Sequence, residues 1–287
     1  MATGVAEHID ATTADVFIKE VWSQAALVAT EDELVFAMLS NRQFESDAAH
    51  GDTIHVPSLG NLSVQTKNRS DNAATIFETI TETNTDITIA TWIYSAIALE
   101  TATKKQVNRD LLKAYAPKQG FAIGQKIDDD LAALVDDFTQ TVGALITENT
   151  YDEVLRARQY LNDANAPRKD RSLVISPAAE TGFMKLQEFI HSDFSKLQGE
   201  INDGVRNAYV GTWMRLPVYV STNVEGSNAA GHDNAMFQKQ AIALVQQMTP
   251  TTHIDFDINY MADKVVVESL YGVKEMRDDH GVWIKGA

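Results

Sequence analysis

A long stretch of alternating polar and β-branched residues, Thr75 to Tyr94, most constrains how this chain can fold. Seven threonines lie between Thr75 and Thr91, so a strand pair built here is polar on both faces. The alternation predicts a two-stranded arm, with Asn84-Thr85 near its middle. An isolated two-stranded hairpin is marginally stable at best in water. The arm therefore needs another surface to lie on, and a second copy of the same chain can supply it.

Negative charge is concentrated in the same part of the chain. The 287 residues include 24 basic and 40 acidic side chains, a net charge of −16. Residues 1–100 hold 15 acidic and 4 basic side chains, a net charge of −11. Such a surface repels phosphate groups, which argues against sequence-specific binding of nucleic acid and against docking on an anionic membrane. Because neither a secretory leader nor a long apolar run is present, we expect no membrane association and a cytoplasmic protein.

The sequence contains no cysteine. This excludes disulfides, thiolate metal sites and cysteine nucleophiles, and it restricts metal ligands to His, Asp and Glu. Glycine-rich phosphate loops, zinc-protease helices and nucleophile-elbow motifs are also absent from the sequence. We therefore predict no cofactor and no enzymatic activity.

A mixture of helical and strand periodicities predicts an α+β chain. Pro117 is typical of a first helical turn, so the longest helix is expected to run from there towards Thr141. Its apolar side chains recur at helical spacing, which predicts one buried face: Ile127, Leu131, Leu134, Phe138 and Val142. Three consecutive residues, Asp128 to Asp130, point about 100° apart on a helix and do not chelate one ion together. We interpret them as a solvated helix face.

Two capping patterns mark further helices. Thr150-x-x-Glu153 is a capping box, which predicts a helix that stops before Pro167. Ser176-Pro177 follows a short buried strand and predicts a helix start, which accounts for Ser176 better than a nucleophile without a base does. Further strands are predicted at three places: Leu216–Val220, Val265–Val267 with Tyr271–Val273, and Val282–Ile284.

One candidate metal site is His253-Ile-Asp255-Phe-Asp257. Alternation along a strand places His253, Asp255 and Asp257 on one face, as a divalent cation would require. The competing interpretation is the wet face of a half-buried strand, which we prefer because the pattern is short and arises easily in an acidic chain.

Basic and aromatic side chains lie on or beside the predicted arm. They are candidates for contact with a neighbouring subunit's acidic surface, which residues 31–33 or 128–130 are expected to supply. The candidate interface residues are Lys67, Arg69, Trp92, Tyr94, Glu31, Asp32 and Glu33. The alternative is that they are ordinary solvated side chains.

Three stretches together resemble the major capsid proteins of tailed bacteriophages, the family with the Hong Kong 97 fold. The stretches span nearly the whole chain and come in the family's order. They are Phe17–Trp22 running through Asn41-Arg42 to Gly51–Gly60; Leu173–Ala178 followed by Leu216–Asn223; and Ala262–Lys274.

The resemblance implies a Hong Kong 97-type fold with an N-terminal arm, an extended β-hairpin loop, a peripheral domain with a long spine helix, and an axial domain. The expected boundaries are these: residues 1–50 for the N-terminal arm and leading helices, 51–100 for the extended loop, 101–171 for the peripheral domain with its spine helix, 172–258 for the axial domain, and 259–287 for a closing peripheral segment.

The resemblance also implies a function. Identical copies would assemble into pentamers and hexamers of an icosahedral head, made in the bacterial cytoplasm, that encloses double-stranded DNA without sequence-specific binding. Because the long extra N-terminal region of some relatives is missing, a separate scaffolding protein is expected, together with a portal. Two alternatives are an encapsulin-type nanocompartment shell and a metal-dependent hydrolase that uses His253, Asp255 and Asp257.

Overall fold

The structure is a computed structural model. It describes residues 34–59, 64–67, 74–75, 77–79, 82–106, 111–185, 209–213 and 216–286. The predicted leading helix through Phe17 and Trp22, and the predicted helical positions Leu186 and Ile190, lie outside these ranges. Among the described residues, no helix is long and apolar enough to cross a membrane.

Helices and strands are mixed along the chain, as the sequence predicts. The α-helices are α1 (Phe36–Leu39), α2 (Thr101–Gln106), α3 (Leu111–Ala132), α4 (Tyr151–Asp163) and α5 (Pro177–Phe183), with short 3-10 helices at Glu45–Ala49, Ala133–Val135 and Asp278–His280. The strands are β1 (Thr53–Leu59), β2 (Glu82–Thr88), β3 (Thr91–Glu100), β4 (Thr141–Gly143), β5 (Arg171–Ile175), β6 (Tyr209–Trp213), β7 (Leu216–Val220), β8 (Gly226–Ser227), β9 (Gly231–Gln238), β10 (Ile242–Asp257), β11 (Ala262–Glu275) and β12 (Gly281–Gly286).

Strands β1 and β2 form a two-stranded antiparallel sheet, which we call the arm. Thr85 pairs with Val56 and Asn84 with Pro57, so the prediction that Thr75 to Tyr94 supplies both strands of the arm is wrong. A period of two reveals a strand but not its end, and Asn and Thr continue this strand without interruption. The strand that follows, β3, belongs to a different sheet.

The base of the arm is fixed by packing. Ile87 and Ile89 are buried in a small cluster with Ala243 and Val245 of β10. A Cβ atom at Gly272 of β11 would lie 2.4 Å from the carbonyl oxygen of Thr88, so only glycine permits this close approach. The arm thus starts from a rigid base.

A three-stranded antiparallel sheet has the order β10-β11-β3, and helix α3 packs on one of its faces. The Gln119 side chain of α3 donates to the carbonyl oxygens of Ser95 and Val265, at 3.0 and 3.4 Å. The apolar cluster between helix and sheet includes Ile123, Ile127 and Leu131. This confirms the predicted burial of Ile127 and Leu131 on the long helix.

The bounds of that helix differ from the prediction. It begins at Leu111, so Pro117 lies inside it, and it ends at Ala132 rather than near Thr141. Phe138 and Val142 are buried beyond the helix, and Val142 lies on β4. Their four-residue spacing matches a helical period although neither residue lies in the helix. A pattern of buried positions alone does not distinguish a helix from a turn followed by a strand.

Asp128 is not part of a solvated face, so that prediction is wrong for this residue. Its side chain is fully buried and accepts hydrogen bonds from the amides of Val35 and Ala37, at 3.3 and 2.8 Å, and from Asn223 Nδ2 at 3.0 Å. Burial raises the pKa of Asp128, while these hydrogen bonds oppose the shift. The carboxylate supplies acceptors to the start of α1, whose amides lack partners within the helix.

A second, larger sheet has the order β4-β12-β9-β5-β7-β6, with β8 paired to β9. Helices α4 and α5 accompany it, and both start as predicted: Thr150 and Glu153 form the capping box, and the Ser176 side chain caps α5. Strand β5 is buried along its whole length. The chain crosses between the two larger sheets three times: through α3, from β9 to β10, and from β11 to β12. These three crossings hold the two sheets together.

Candidate subunit interfaces

One face of the three-stranded sheet points away from α3 and carries exposed aromatic and charged side chains. Trp92 and Tyr94 of β3 are 68% and 71% exposed there. Trp92 Nε1 donates to Glu268 Oε2 at 2.9 Å, and His253 Nε2 lies 2.9 Å from Glu268 Oε1. Glu268 of β11 thereby contacts side chains of both neighbouring strands and fixes the orientation of the Trp92 indole.

The candidate metal ligands lie on this same face but do not form a metal site. His253 pairs with Glu268, and Asp257 lies 2.7 Å from Lys264 Nζ, which lowers the pKa of Asp257. Among the residues that the structure describes, no group of three or more potential ligands is placed to hold a metal ion. The geometry favours the interpretation of a wet strand face.

The alternate positions Ile254 and Phe256 of β10, together with Ile258 just after the strand, form an exposed apolar row that the sequence did not predict. Ile254, Phe256 and Ile258 are 71%, 45% and 77% exposed. They extend past α3, which mainly covers β11 and β3. The signal was present in the sequence, since these residues alternate with the polar ones, but alternation alone does not tell which face is covered.

The other predicted interface residues are not brought together. Lys67 is exposed and lies outside any helix or strand, and Arg69 and residues 31–33 lie outside the described residues. Residues 128–130 do not form an acidic surface, because Asp128 is buried. In this set, the structure therefore groups only Trp92 and Tyr94.

Carboxylates gather where the chain crosses between the two larger sheets. Glu275 ends β11 and is partly buried, and Asp278 and Asp137 lie close to it. Asp278 also accepts a 2.7 Å hydrogen bond from the amide of Thr139. Burial and the nearby charges of Asp278 and Asp137 raise the pKa of Glu275 to about 7, against a weaker lowering by Lys274. Protonation at this crossing is therefore sensitive to pH near neutrality.

Trp92, Tyr94 and the apolar row of Ile254, Phe256 and Ile258 are exposed on the subunit. A match to a family model for phage capsid proteins covers residues 43–276. The chain belongs to the phage capsid protein family. No curated protein matches the sequence.

Solved structures show the same fold. A chain from Mycobacterium phage Che8 is similar with a TM-score of 0.75 and 21% identity, covering 93% of this chain and 97% of that chain. The capsid of cyanophage P-SCSP1u gives 0.69 and 17%, with 96% and 94% covered. The capsid of Ralstonia phage GP4 gives 0.70 and 12%, with 93% and 94% covered.

These findings confirm the predicted fold class and the prediction of a major capsid protein of a tailed phage. As a member of this family, the protein is a structural component of a virion and assembles with copies of itself. The family match supports this function over the encapsulin-type and hydrolase alternatives.

Proposed function

We propose that this capsid protein forms pentamers and hexamers that close into an icosahedral head around double-stranded DNA. The main observation that supports this proposal is the structure of the arm. Its base is anchored by Ile87 and Ile89, whereas its distal part is polar and pairs, within the described residues, only with itself. Two strands alone are marginally stable in water, so a neighbouring subunit completes the structure.

The proposed division of labour follows the expected boundaries. Residues 51–100 form the loop that reaches across a neighbour through its arm, while β3 stays in the subunit's own three-stranded sheet. Residues 101–171 and 259–287 form the peripheral part around α3. Residues 172–258 form the axial part around the capsomer axis, from which β10 continues into the three-stranded sheet. Residues 1–50 carry the N-terminal arm and leading helices. Trp92 and Tyr94 contact a neighbouring subunit on the solvated sheet face, with Lys67 and Arg69 as further contacts on the loop.

We infer the protein's other partners in part from its net negative charge. A chain with a net charge of −16 does not neutralise packaged phosphates, which suits a container filled from outside better than a DNA-wrapping protein. We infer a separate scaffolding protein, a portal, assembly in the host cytoplasm, and a role without catalysis.

Shortening the arm tests the proposal. Leu59 and Glu82 form the last pair of the β1–β2 ladder, so residues 60–81 can be replaced by Asn-Gly, which favours a tight hairpin turn. The shortened and full-length subunits should both unfold cooperatively. The shortened subunit should form no shells in electron microscopy of the concentrated protein with infected-cell lysate. A control variant keeps the length of residues 60–81 and replaces only Val64 with Thr. Normal shells from the shortened variant would contradict the proposal.

A further inference from the structure

A groove lies beside the arm, where residues 41–44 meet the connection between β9 and β10. It has two adjoining sections of about 400 and about 440 Å³ that share Asn41, Gln43 and Gln240. Further lining residues come from the arm and from the residues just after β11. The groove thus brings together parts of the chain that are distant in sequence.

The charged side chains of this groove are mainly cationic, although the chain as a whole is strongly acidic. Arg42, Lys239 and Arg277 line it, against a single carboxylate, that of Asp170. Arg42 is 2.7 Å from Glu45. Across the residues with a described position, no carboxylate lies within ion-pair distance of Lys239 or Arg277, and both side chains are exposed. Two cations are therefore available to an anion.

Two buried carboxamides lie on the floor of the groove. Asn41 and Gln238 are only 7% and 4% exposed. Asn41 Oδ1 accepts a hydrogen bond from the amide of Gln43 at 3.1 Å, and Gln238 Oε1 accepts one from the amide of Gln240 at 2.7 Å. Because a backbone N–H can only donate, these bonds fix the oxygen of each side chain and leave its NH₂ group free. Within the described ranges neither nitrogen has a protein partner and neither is fully enclosed, so both can donate to a ligand.

The floor and the cations together offer hydrogen-bond donors and positive charge. A peptide brings backbone N–H groups that need acceptors, whereas a phosphodiester brings only acceptors and negative charge. Lys, Arg, Asn and Gln are side chains that commonly contact the phosphates of DNA, and these contacts do not depend on base sequence. A nucleic-acid backbone therefore matches the lining better than an acidic peptide does.

We propose that this groove binds phosphate groups of the DNA that the capsid encloses. A duplex carries one negative charge per about 1.7 Å of its axis, so neighbouring phosphates can reach both sections of the groove. The few cations of each groove do not neutralise the genome; they fix DNA at repeated points on the inner surface of the head. The inference rests on the proposed enclosure of double-stranded DNA, and it assigns this side of the subunit to the inside.

Fluorescence anisotropy of a short labelled duplex, titrated with full-length unassembled subunits at several salt concentrations, tests the inference. We expect binding at low salt that is equal for two unrelated base sequences and weakens as salt rises. The variant Lys239→Gln/Arg277→Gln should bind more weakly, and its slope of log affinity against log salt should be smaller by about 2, one for each lost phosphate contact. The control Lys105→Gln/Arg156→Gln removes the same charge at exposed positions outside the groove and should keep the full slope.

The floor of the groove supplies the second arm of the test. Gln238→Glu replaces the donor Nε2 with an oxygen and keeps an oxygen that accepts from the amide of Gln240. It should weaken duplex binding by about tenfold or more, because a hydrogen bond to a charged group is lost. The control Gln159→Glu makes the same change at an exposed position of α4 and should bind as the unmodified protein does. If Gln238→Glu does not unfold cooperatively, the exposed double variant carries the test.

The inference would be overturned by an absence of duplex binding at low salt, or by an unchanged salt slope in Lys239→Gln/Arg277→Gln. Displacement of the duplex by inorganic phosphate at an equal concentration of phosphate groups would also overturn it, because the site would then take a free anion. Stronger displacement by polyglutamate than by unlabelled duplex would assign the groove to an acidic peptide instead. These results leave the proposed shell function intact, which fails separately if the unmodified protein forms no shells under any condition.

Discussion

The seven-stranded sheet and the arm are stabilised in opposite ways. Strand β5 of the large sheet is buried on both faces, and Leu173 contributes to a core of aliphatic and aromatic side chains. Arg171, at the start of that strand, donates to the carbonyl oxygens of Leu161, Ala166 and Pro167. The arm has no comparable core beyond its base. Under the proposed function, the subunit therefore combines a region that is stable alone with an arm that neighbouring subunits order.

The largest expected effect on the isolated subunit comes from the core of the large sheet. Leu173→Ala should lower the free energy of unfolding by about 2–5 kcal/mol, because it leaves a cavity among fully buried neighbours. Denaturant unfolding of the unassembled subunit measures this. Val64→Ala, at an exposed position, is the control and should change stability by less than about 0.5 kcal/mol. Equal effects of the two changes would contradict the contrast between core and arm.

Removing the buried carboxylate of Asp128, which accepts hydrogen bonds at the start of α1, should have the next largest effect on stability. Asp128→Ala leaves the buried amide of Val35, together with that of Ala37, without its acceptor, at a cost of about 1–3 kcal/mol. Asp129→Ala, one position along the same helix, is the matched control. Thermal unfolding should show a clearly lower midpoint for the first variant than for the second, and equal midpoints would show that the contact does not matter.

Much of the fold can be predicted from the sequence, and the failures have physical causes. The capping box at Thr150 and the cap at Ser176 depend on local hydrogen bonds, so local patterns suffice. The sequence does not reveal that Asp128 is buried, because its partners Val35 and Asn223 are distant in sequence and a charged residue on a helix is usually solvated.

Stability should depend on pH through Glu275, which lies where the chain crosses between the two larger sheets. Folding raises the pKa of Glu275 from its ordinary value of 4.5 to about 7, so the folded state binds the proton more tightly than the unfolded state. This contribution to stability is complete below about pH 4.5 and is lost as the pH rises through about 7.

The variant Glu275→Gln isolates this contribution. It should flatten the fall in the thermal midpoint between pH 4.5 and pH 7, by a few degrees at most, since the group is only partly buried. Glu225→Gln, at an exposed position, should leave the pH profile unchanged. A profile for Glu275→Gln that is parallel to that of the unmodified protein would show that the carboxylate does not hold a proton at the crossing.

The smallest effect on the subunit is expected at the exposed apolar row. Ile254→Thr should change the subunit's stability by less than about 0.5 kcal/mol, because the side chain is 71% exposed. If the row contacts a neighbour, the same change should raise the protein concentration needed for shell formation, which light scattering measures. Thr252→Ser, on the same strand, is the control. Unchanged assembly by Ile254→Thr would place the row on a free surface.

Amide hydrogen exchange of the arm, β1 and β2, in free subunits and in assembled shells tests most directly whether a neighbouring subunit orders the arm, with β5 as the internal reference. We expect strong protection of β5 in both states. The arm should exchange fast in free subunits and slowly in shells. Equal protection of the arm in both states would contradict the claim that a neighbouring subunit supplies its order.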